Sequence, residues 1–220
     1  MSFIVAIDGP AGAGKGTITK LVGEKMNLIN IDTGATYRCV TLAMLKKGIK
    51  LEDEEKIKKL LENIKIELSQ EQGKQKVTLN GEDVTLEIRT QPVNDFVSPV
   101  ATLKIVRENL VKLQRKMAEG KNVIMEGRDI GTNVFPNADL KIYLDATAEE
   151  RARRRVKQEE EKGIKSTYES ALKNILDRDK RDSERDITPL KKAEDAIYID
   201  STNMTIEEVV DKIVTEIKNR

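Results

Sequence analysis

The apolar residues of this chain fall in short runs separated by longer amphipathic stretches. Phe3 to Ile7 is mostly apolar and predicts a short buried strand. A helix is predicted over Thr17 to Met26, and Leu28 to Ile31 is a second short apolar run. Tyr37, Val40, Leu42, Met44 and Leu45 then carry a helical spacing to Lys47, with Gly48 as the stop. Glu52 to Asn63 predicts a charged helix with Ile57, Leu60, Leu61 and Ile64 on one face.

The period changes at this point. Ile64, Ile66 and Leu68 alternate, as do Val77 and Leu79, and Val84 and Leu86 continue the pattern. Asn80-Gly81 between two such runs is a strong hairpin signal. Residues 64–90 are therefore expected to form a small antiparallel sheet inserted in an α/β chain. Pro92 and Pro99 are expected to break the chain beyond this sheet, and Ala101 to Glu119 predicts a helix ended by Gly120.

The last hundred residues return to strands and helices in turn. Asn122 to Met125 and Leu140 to Leu144 read as core strands, and Ala196 to Ile199 as the last one. Thr147-Ala-Glu-Glu150 and Thr205-Ile-Glu-Glu208 have the spacing of capping boxes. Ser166 to Glu169 opens another helix, which runs into the charged segment 177–186, and Gly163 separates it from the one before. Strands alternating with helices predict a parallel sheet covered on both faces.

The first strand leads directly into the clearest chemical signal. Gly9-Pro10-Ala11-Gly12-Ala13-Gly14-Lys15-Gly16-Thr17 carries the spacing G-x-x-x-x-G-K between a strand and a helix. Glycines let the backbone take positive φ and approach a ligand closely, so successive N–H groups can form an anion nest. The helix N-terminus adds partial positive charge, and Lys15 adds a full one. The position after Lys15 is Gly16, where the general motif has Ser or Thr, and the hydroxyl comes one residue later at Thr17.

Composition narrows the partners. The 220 residues carry 39 Lys and Arg against 38 Asp and Glu, so there is no global attraction to nucleic acid or membranes. Histidine is absent, which excludes His-based triads and His-ligated metals. Cys39 is the only cysteine, so no intrachain disulfide forms, in keeping with a reducing compartment. No segment approaches a membrane span, and the first apolar run is too short for a signal sequence. A cytoplasmic setting and a monomer are expected.

Ligands of such sheets bind beyond the carboxyl ends of the strands. Asp32-Thr33, Glu126 to Asp129 and Asp145 all come just after predicted strands. Arginine pairs bidentately with phosphate, which makes Arg38, Arg128 and Arg178 candidates for holding a second phosphate group. The basic run Arg151, Arg153, Arg154, Arg155 either serves a nucleotide or is a solvated helix face paired with Glu159 to Glu161. The 177–186 segment is likewise open to reading as a surface ion-pair network, and Tyr37 as plain core.

Several stretches together are more specific. IDGPAGAGKGT, IDTGATYR, VTLNGEDVTLEIRT, SPVA, VRENLVKLQR, EGRDIGTNVFPNADLKIYLDAT, EERARRR, RDKRDSERDITPL and YIDST resemble the bacterial cytidylate kinases along essentially the whole chain. The resemblance implies a P-loop kinase: a five-stranded parallel sheet flanked by helices, a small antiparallel β insertion in the region that binds the nucleoside monophosphate, and a helical lid. It places the core at 1–31, 104–146 and 167–220, the monophosphate-binding region at 32–103 with its insertion at about 64–98, and the lid at 147–166.

The same resemblance implies ATP held by Gly9 to Thr17 and magnesium directed by Thr17, with CMP or dCMP as acceptor. Lys15, Arg128, Arg154 and Arg155 match catalytic positions, the last two in the lid. Arg38, Arg128 and Arg178 fall where the family surrounds the acceptor phosphate. Ser98, Arg107 and Asp129 match residues that meet cytosine; Asp182 and Arg185 match those that hold the sugar. Thr33 takes a position where relatives can carry serine, and Tyr37 lies next to the acceptor. Thr36 stands where a larger apolar residue is usual, and Glu126 where aspartate also occurs.

Three other readings compete. A P-loop kinase could take another small acceptor, such as UMP or a non-nucleotide. A GTP-operated switch would need a base-reading N-K-x-D, which does not occur. A nucleic-acid binder using the arginine clusters is disfavoured by aromatic residues at only 3%, too few for base stacking.

Overall fold

The computed structural model describes residues 2–71, 74–161 and 163–220. Residues 72–73 of the predicted antiparallel segment and residue 162 of the predicted lid lie outside them. In chain order the elements are β1 (Ile4–Asp8), α1 (Lys15–Met26), β2 (Ile29–Asp32), α2 (Thr33–Lys46), α3 (Glu54–Asn63), β3 (Ile66–Glu71), β4 (Lys74–Leu79) and β5 (Glu82–Asp83). Next come α4 (Gln91–Val100), α5 (Lys104–Ala118), β6 (Val123–Gly127), β7 (Leu140–Asp145), α6 (Ala148–Glu160), α7 (Tyr168–Glu184), β8 (Ile197–Asp200) and α8 (Ile206–Lys218). The chain divides into two compact units, Met1–Ile31 with Ala118–Arg220, and Asp32–Met117.

The first of these, the sheet unit, is built on a five-stranded parallel sheet in the order β2-β6-β1-β7-β8. β1 pairs in parallel with both β6 and β7, and Asp8 stands level with Gly127 and Tyr143. Successive side chains on a strand point to opposite faces. Val5, Ile7, Ile124, Leu140, Ile142, Leu144 and Ile199 thus form one apolar face, packed against Ile18 and Val22 of α1 and Val210, Ile213 and Ile217 of α8. A smaller cluster of Ala152, Ala171 and Ile175 joins α6 to α7. Because β1 is central, the chain after it emerges between the ends of β6 and β7, the switch point where α/β sheets bind ligands.

The second unit is organised on α2, which is buried almost all round, as a core helix must be. Val40 and Met44 of α2, Ile57 of α3, Ile66 and Val77 of the sheet, Val93 of α4 and Leu110 of α5 share one core. The β3–β4–β5 sheet is antiparallel. The Asn80-Gly81 signal is borne out: both residues take positive φ (53° and 87°), as a type I′ hairpin turn requires.

Four expectations are corrected. The alternation of Val84 and Leu86 does not extend the sheet, and β5 ends at Asp83. Thr85 folds back to form two bonds with the Asp83 carboxylate, and its Oγ1 accepts the Val77 N–H at 2.9 Å, so a side chain takes the place of the next ladder carbonyl. Pro92 and Pro99 do not break the chain but lie within α4. Pro92 sits in the first turn, where its missing N–H has no helical partner to lose, and Pro99 lies in the last turn. The helix predicted from Ala101 begins at Lys104, and α7 is capped by Thr167, whose side chain accepts from Ser170 N, instead of by Ser166.

Among the described residues, no helix is long and apolar enough to cross a membrane. Thr205 and Glu208 form a complete capping box on α8, with the Thr205 N–H donating to Glu208 Oε2 at 2.7 Å and the Glu208 N–H to Thr205 Oγ1 at 3.2 Å. Thr205→Ala is expected to cost about 1 kcal/mol of stability. Urea unfolding should show a lower midpoint at an unchanged slope.

Candidate active site

The loop after β1 is shaped by close backbone approach. Gly9 has φ 152°, and any Cβ there would run into the carbonyl oxygen of Leu144 on β7. Gly12 and Gly14 take φ 80° and 88°, a left-handed conformation that L side chains rarely adopt. Gly14 is the N-cap of α1, and its carbonyl accepts from Thr17 N and Ile18 N, both at 3.1 Å. The first turn of α1 has no side-chain cap and no acidic residue of its own.

Lys15 is buried under this loop, and its ammonium donates to the carbonyls of Gly9 (2.8 Å) and Pro10 (2.7 Å). Burial, and next the Arg128 guanidinium, pull its pKa down to about 7, against the opposing carboxylate of Glu126. Glu126 stands close to the glycine after the lysine. A Cβ on Gly16 would lie 3.1 Å from Glu126 Oε1, which Thr19 Oγ1 also reaches at 3.5 Å.

The end of β6 carries a network of buried charge. The Asp8 carboxylate accepts the N–H groups of Ile130 and Gly131, both at 2.8 Å, which fixes the turn after Arg128-Asp129. Arg128 Nε donates to Asp182 Oδ2 at 2.9 Å, and Arg178 Nε lies 3.9 Å from the same oxygen. Burial by itself would raise the Asp182 carboxyl, yet the guanidinium groups of Arg128 and Arg178 hold it below the usual carboxylate value. Asp129 is buried; its Oδ2 accepts from Asn133 Nδ2 at 2.9 Å and its Oδ1 lies 3.6 Å from Arg185 NH2.

The basic run on α6 divides by direction. Arg153 is exposed and pairs with Glu150; Arg155 is exposed and pairs with Glu159. Arg154 donates to the Ser201 carbonyl at 2.6 Å and to Glu150 at 3.0 Å. Arg151 alone turns into the sheet unit: it is 5% exposed, with Nε on the Ala146 carbonyl (2.8 Å) and NH1 on the Ala11 carbonyl (3.0 Å) and on Asp179 (2.6 Å).

The second unit holds its own set. Arg38 donates to Asn94 Oδ1 (2.5 Å) and to the Ile88 carbonyl (3.1 Å). The Arg107 guanidinium lies 5.5 Å from the Tyr37 ring centroid, within cation–π range, and donates to the Ala101 carbonyl at 3.1 Å. Thr33 and Ser98 are buried nearby in sequence to these groups, on α2 and α4. Thr36 has a polar partner that explains it: Gln114 Nε2 donates to its hydroxyl at 3.1 Å, and the hydroxyl donates to the Thr33 carbonyl at 2.7 Å.

The model of the family described as cytidylate kinase matches residues 5–219. This chain belongs to the cytidylate kinase family. It is 52% identical over 217 residues to a cytidylate kinase of Fusobacterium nucleatum subsp. nucleatum, covering 99% of this chain and 98% of that one. To a cytidylate kinase of Bacillus subtilis it is 49% identical over 216 residues, 98% of this chain and 96% of the other. Among solved structures, a shikimate kinase from Bacteroides thetaiotaomicron covers 98% of each chain at a TM-score of 0.51 and 13% identity, a likeness of fold alone.

Within the sheet unit the fold brings Lys15, Arg128, Asp129, Arg178, Asp182 and Arg185 to the carboxyl ends of β1 and β6, while Thr33, Tyr37, Arg38, Ser98 and Arg107 stand on the second unit. Three further residues were not singled out from sequence. Asn94 orients Arg38, Asp8 pins the turn after β6, and Asp179 receives Arg151. Asp8 had a signal, as the polar residue closing an apolar strand, and Asp179 lay in the charged segment 177–186; Asn94 had none apart from its helical setting.

The Glu126 carboxylate beside Gly16 and the exposed Thr17 suit a cation that takes few ligands from the protein. Among the described residues no group of three or more acidic, His or Cys side chains gathers into a cage. Magnesium in phosphoryl-transfer sites keeps waters and substrate phosphates as most of its ligands, so a loop hydroxyl and one carboxylate suffice from the protein.

The Asp8 carboxyl has its pKa pushed up from 3.8 to about 6, chiefly by burial, although the amides of Gly131 and Ile130 pull the other way. The native state therefore holds this proton more tightly than the unfolded chain, and the carboxyl's contribution to stability falls as pH rises through that window. The stability of the wild type minus that of Asp8→Asn should decline between about pH 4 and pH 6 and level off above it. Urea titrations at a series of pH values check this; a flat difference would remove Asp8 as the titrating group.

Proposed function

We propose that this protein transfers the γ-phosphoryl group of ATP to CMP and dCMP, giving ADP and CDP or dCDP. The observation that carries the reading is a left-handed glycine loop over a buried lysine, set beside the Arg128–Asp182–Arg178 cluster, in a chain of the cytidylate kinase family. An acceptor phosphate oxygen forms a bond to the γ-phosphorus as the bond from that phosphorus to the β,γ-bridging oxygen breaks, and ADP leaves. Such transfer depends on positioning and charge neutralisation, and no covalent intermediate is needed.

In this reading Gly9 to Thr17 cradle the donor phosphates with backbone N–H groups, and Lys15 leaves the loop carbonyls to meet the transferring group. Thr17, supported by Glu126, directs magnesium, which when bound neutralises charge on the donor phosphates. Arg38, Arg128 and Arg178 bind the acceptor phosphate, and Thr33 and Tyr37 lie next to the acceptor. Ser98, Arg107 and Asp129 read cytosine, and Asp182 and Arg185 hold the sugar. Residues 147–166 form the lid, from which Arg154 and Arg155 join the site; residues 32–103 form the acceptor-binding region. The protein acts as a cytoplasmic monomer.

A panel of CMP, dCMP, UMP and AMP in a coupled ADP-release assay tests the reading; the two cytidylates should far outrun the others. Lys15→Ala should lower kcat about 10²- to 10³-fold in a folded protein, the usual effect of removing one donor from developing transition-state charge.

Asp129 decides base choice. Cytosine presents an N4 amino donor where uracil presents an O4 acceptor, and a buried carboxylate accepts from the first and repels the second. Asp129→Ala should lower kcat/KM for CMP far more than for UMP. An equal fall for both acceptors would assign Asp129 to holding Arg185 and take it out of base recognition.

A further inference from the structure

We propose that Arg151 is a positioning residue that sets the phosphate-loop peptide at Ala11–Gly12 and ties it to the arginine-bearing face of α7, so that donor and acceptor phosphates bind in one coupled arrangement. The inference rests on the kinase reading above and adds a residue and a linkage to it.

The first half of the argument is peptide geometry. A trans peptide is planar, so its carbonyl and its N–H point in opposite directions. The Ala11 carbonyl accepts from Arg151 NH1 at 3.0 Å. Holding that oxygen on the α6 side turns the N–H of Gly12 the opposite way. Gly12 comes next at φ 80°, and a Cβ on it would come within 3.2 Å of Arg151 Cβ, so the loop rests on the stem of this arginine as well as on its head. The head is held in turn by Nε on the Ala146 carbonyl at 2.8 Å, at the turn from β7 into α6. A guanidinium has donors in a rigid fork, and here the fork is aimed at two carbonyls and a carboxylate.

The second half concerns that carboxylate. Arg151 NH1 lies 2.6 Å from Asp179 Oδ2. Asp179 is three residues before Asp182 on α7, and positions three apart share a helix face. Asp182 receives Arg128 Nε at 2.9 Å and stands 3.9 Å from Arg178 Nε. Contacts therefore run from the loop carbonyl through Arg151 to Asp179, and one turn along α7 from Asp182 to two arginines assigned to the acceptor phosphate. Asp179 is also short of partners: its Oδ1 is buried with no hydrogen bond, so Arg151 is the cation that does most to keep this carboxylate charged. If donor phosphates draw on the loop and acceptor phosphate draws on Arg128 and Arg178, each ligand favours the same placement of α7 against the loop. By linkage the enhancement is reciprocal.

The experiment measures dissociation constants of a magnesium complex of a non-hydrolysable ATP analogue by calorimetry on the full chain, with and without saturating CMP. It uses the wild type, Arg151→Gln, Arg151→Lys and Asp179→Asn. CMP should tighten analogue binding in the wild type. Arg151→Gln should weaken the analogue about tenfold, as expected for losing a charged hydrogen bond, and should abolish the enhancement by CMP. Asp179→Asn leaves Ala11 held, so it should keep most of the affinity for the analogue alone and lose the enhancement. Arg151→Lys, with one point charge for three acceptors, should recover part of the affinity and little of the coupling.

A purely structural arginine would lower the melting temperature and leave the ratio of the two dissociation constants unchanged. That result in folded Arg151→Gln, or in Asp179→Asn where the glutamine variant does not fold, overturns the proposal. Absence of any CMP enhancement in the wild type overturns it too. Failure of the wild type to phosphorylate CMP at all would instead remove the kinase reading on which it stands.

Discussion

The structure depends on charge taken out of water at the carboxyl ends of β1 and β6. Lys15, Asp8, Asp129, Asp182 and Arg151 are all nearly inaccessible, and an unpaired buried charge costs several kcal/mol. Each is therefore committed to a partner, and the partners come from distant parts of the chain. Asp8 takes amides from 130 and 131, Arg128 takes Asp182, and Arg151 takes Ala11 and Asp179. Such groups give little net stability, but they fix geometry, because any displacement breaks a bond in a low-dielectric setting. A pre-formed cluster with cations facing the loop lowers the reorganisation needed when phosphates arrive, which is where electrostatic catalysis gains most.

Much of the fold was legible because local chemistry and global fold agree. The strand–glycine loop–lysine–helix pattern, the Asn80-Gly81 turn and the Thr205 capping box each satisfy a strong local rule and each appear as expected. The misreadings share a different cause. The alternation of Val84 and Leu86 is genuine, but Thr85 accepts the Val77 amide with its side chain, and pattern alone does not show that a hydroxyl will replace a carbonyl. Val84 is buried all the same while Leu86 lies open, so the alternation described burial badly even where it continued. Pro92 misled in the opposite sense: a proline stops a helix in its interior and is tolerated at its first turn, and which applies depends on where the helix starts.

For the site, legibility stopped at the third dimension. A run of arginines on one short helix reads as one feature, and two readings of it stood open. The fold separates the four residues by what each can reach, although Arg151 and Arg155 lie one turn apart on the same side of the helix. Arg153 and Arg155 are exposed and pair with Glu150 and Glu159, Arg154 leans to Ser201, and Arg151 enters the interior. No spacing rule separates them, since what selects Arg151 is the carbonyl of Ala11, 140 positions away in the chain. Asn94 escaped for the same reason. Its claim to function lies only in meeting Arg38, and contact between α4 and α2 is a property of the packed unit.

Gly16 shows how one substitution in a motif can be explained from its surroundings. The generic loop places a hydroxyl residue directly after the lysine. Here the space where that residue's Cβ would sit is bounded by Glu126 Oε1 at 3.1 Å, closer than nearly all real Cβ contacts. Glu126 closes β6, two residues before Arg128, so the atom that must give way is the far end of a side chain on the strand that leads into Arg128. The carboxylate and the missing side chain are thus two aspects of one arrangement. With glycine at 16, Glu126 can stand beside the loop, where it opposes the fall in the Lys15 pKa and holds Thr19 Oγ1. A serine at 16 would supply a neutral oxygen near the same point and would require the carboxylate to give by a few tenths of an ångström. The loop gives up a hydroxyl at one position, gains a full negative charge in its place, and keeps a hydroxyl one residue on at Thr17.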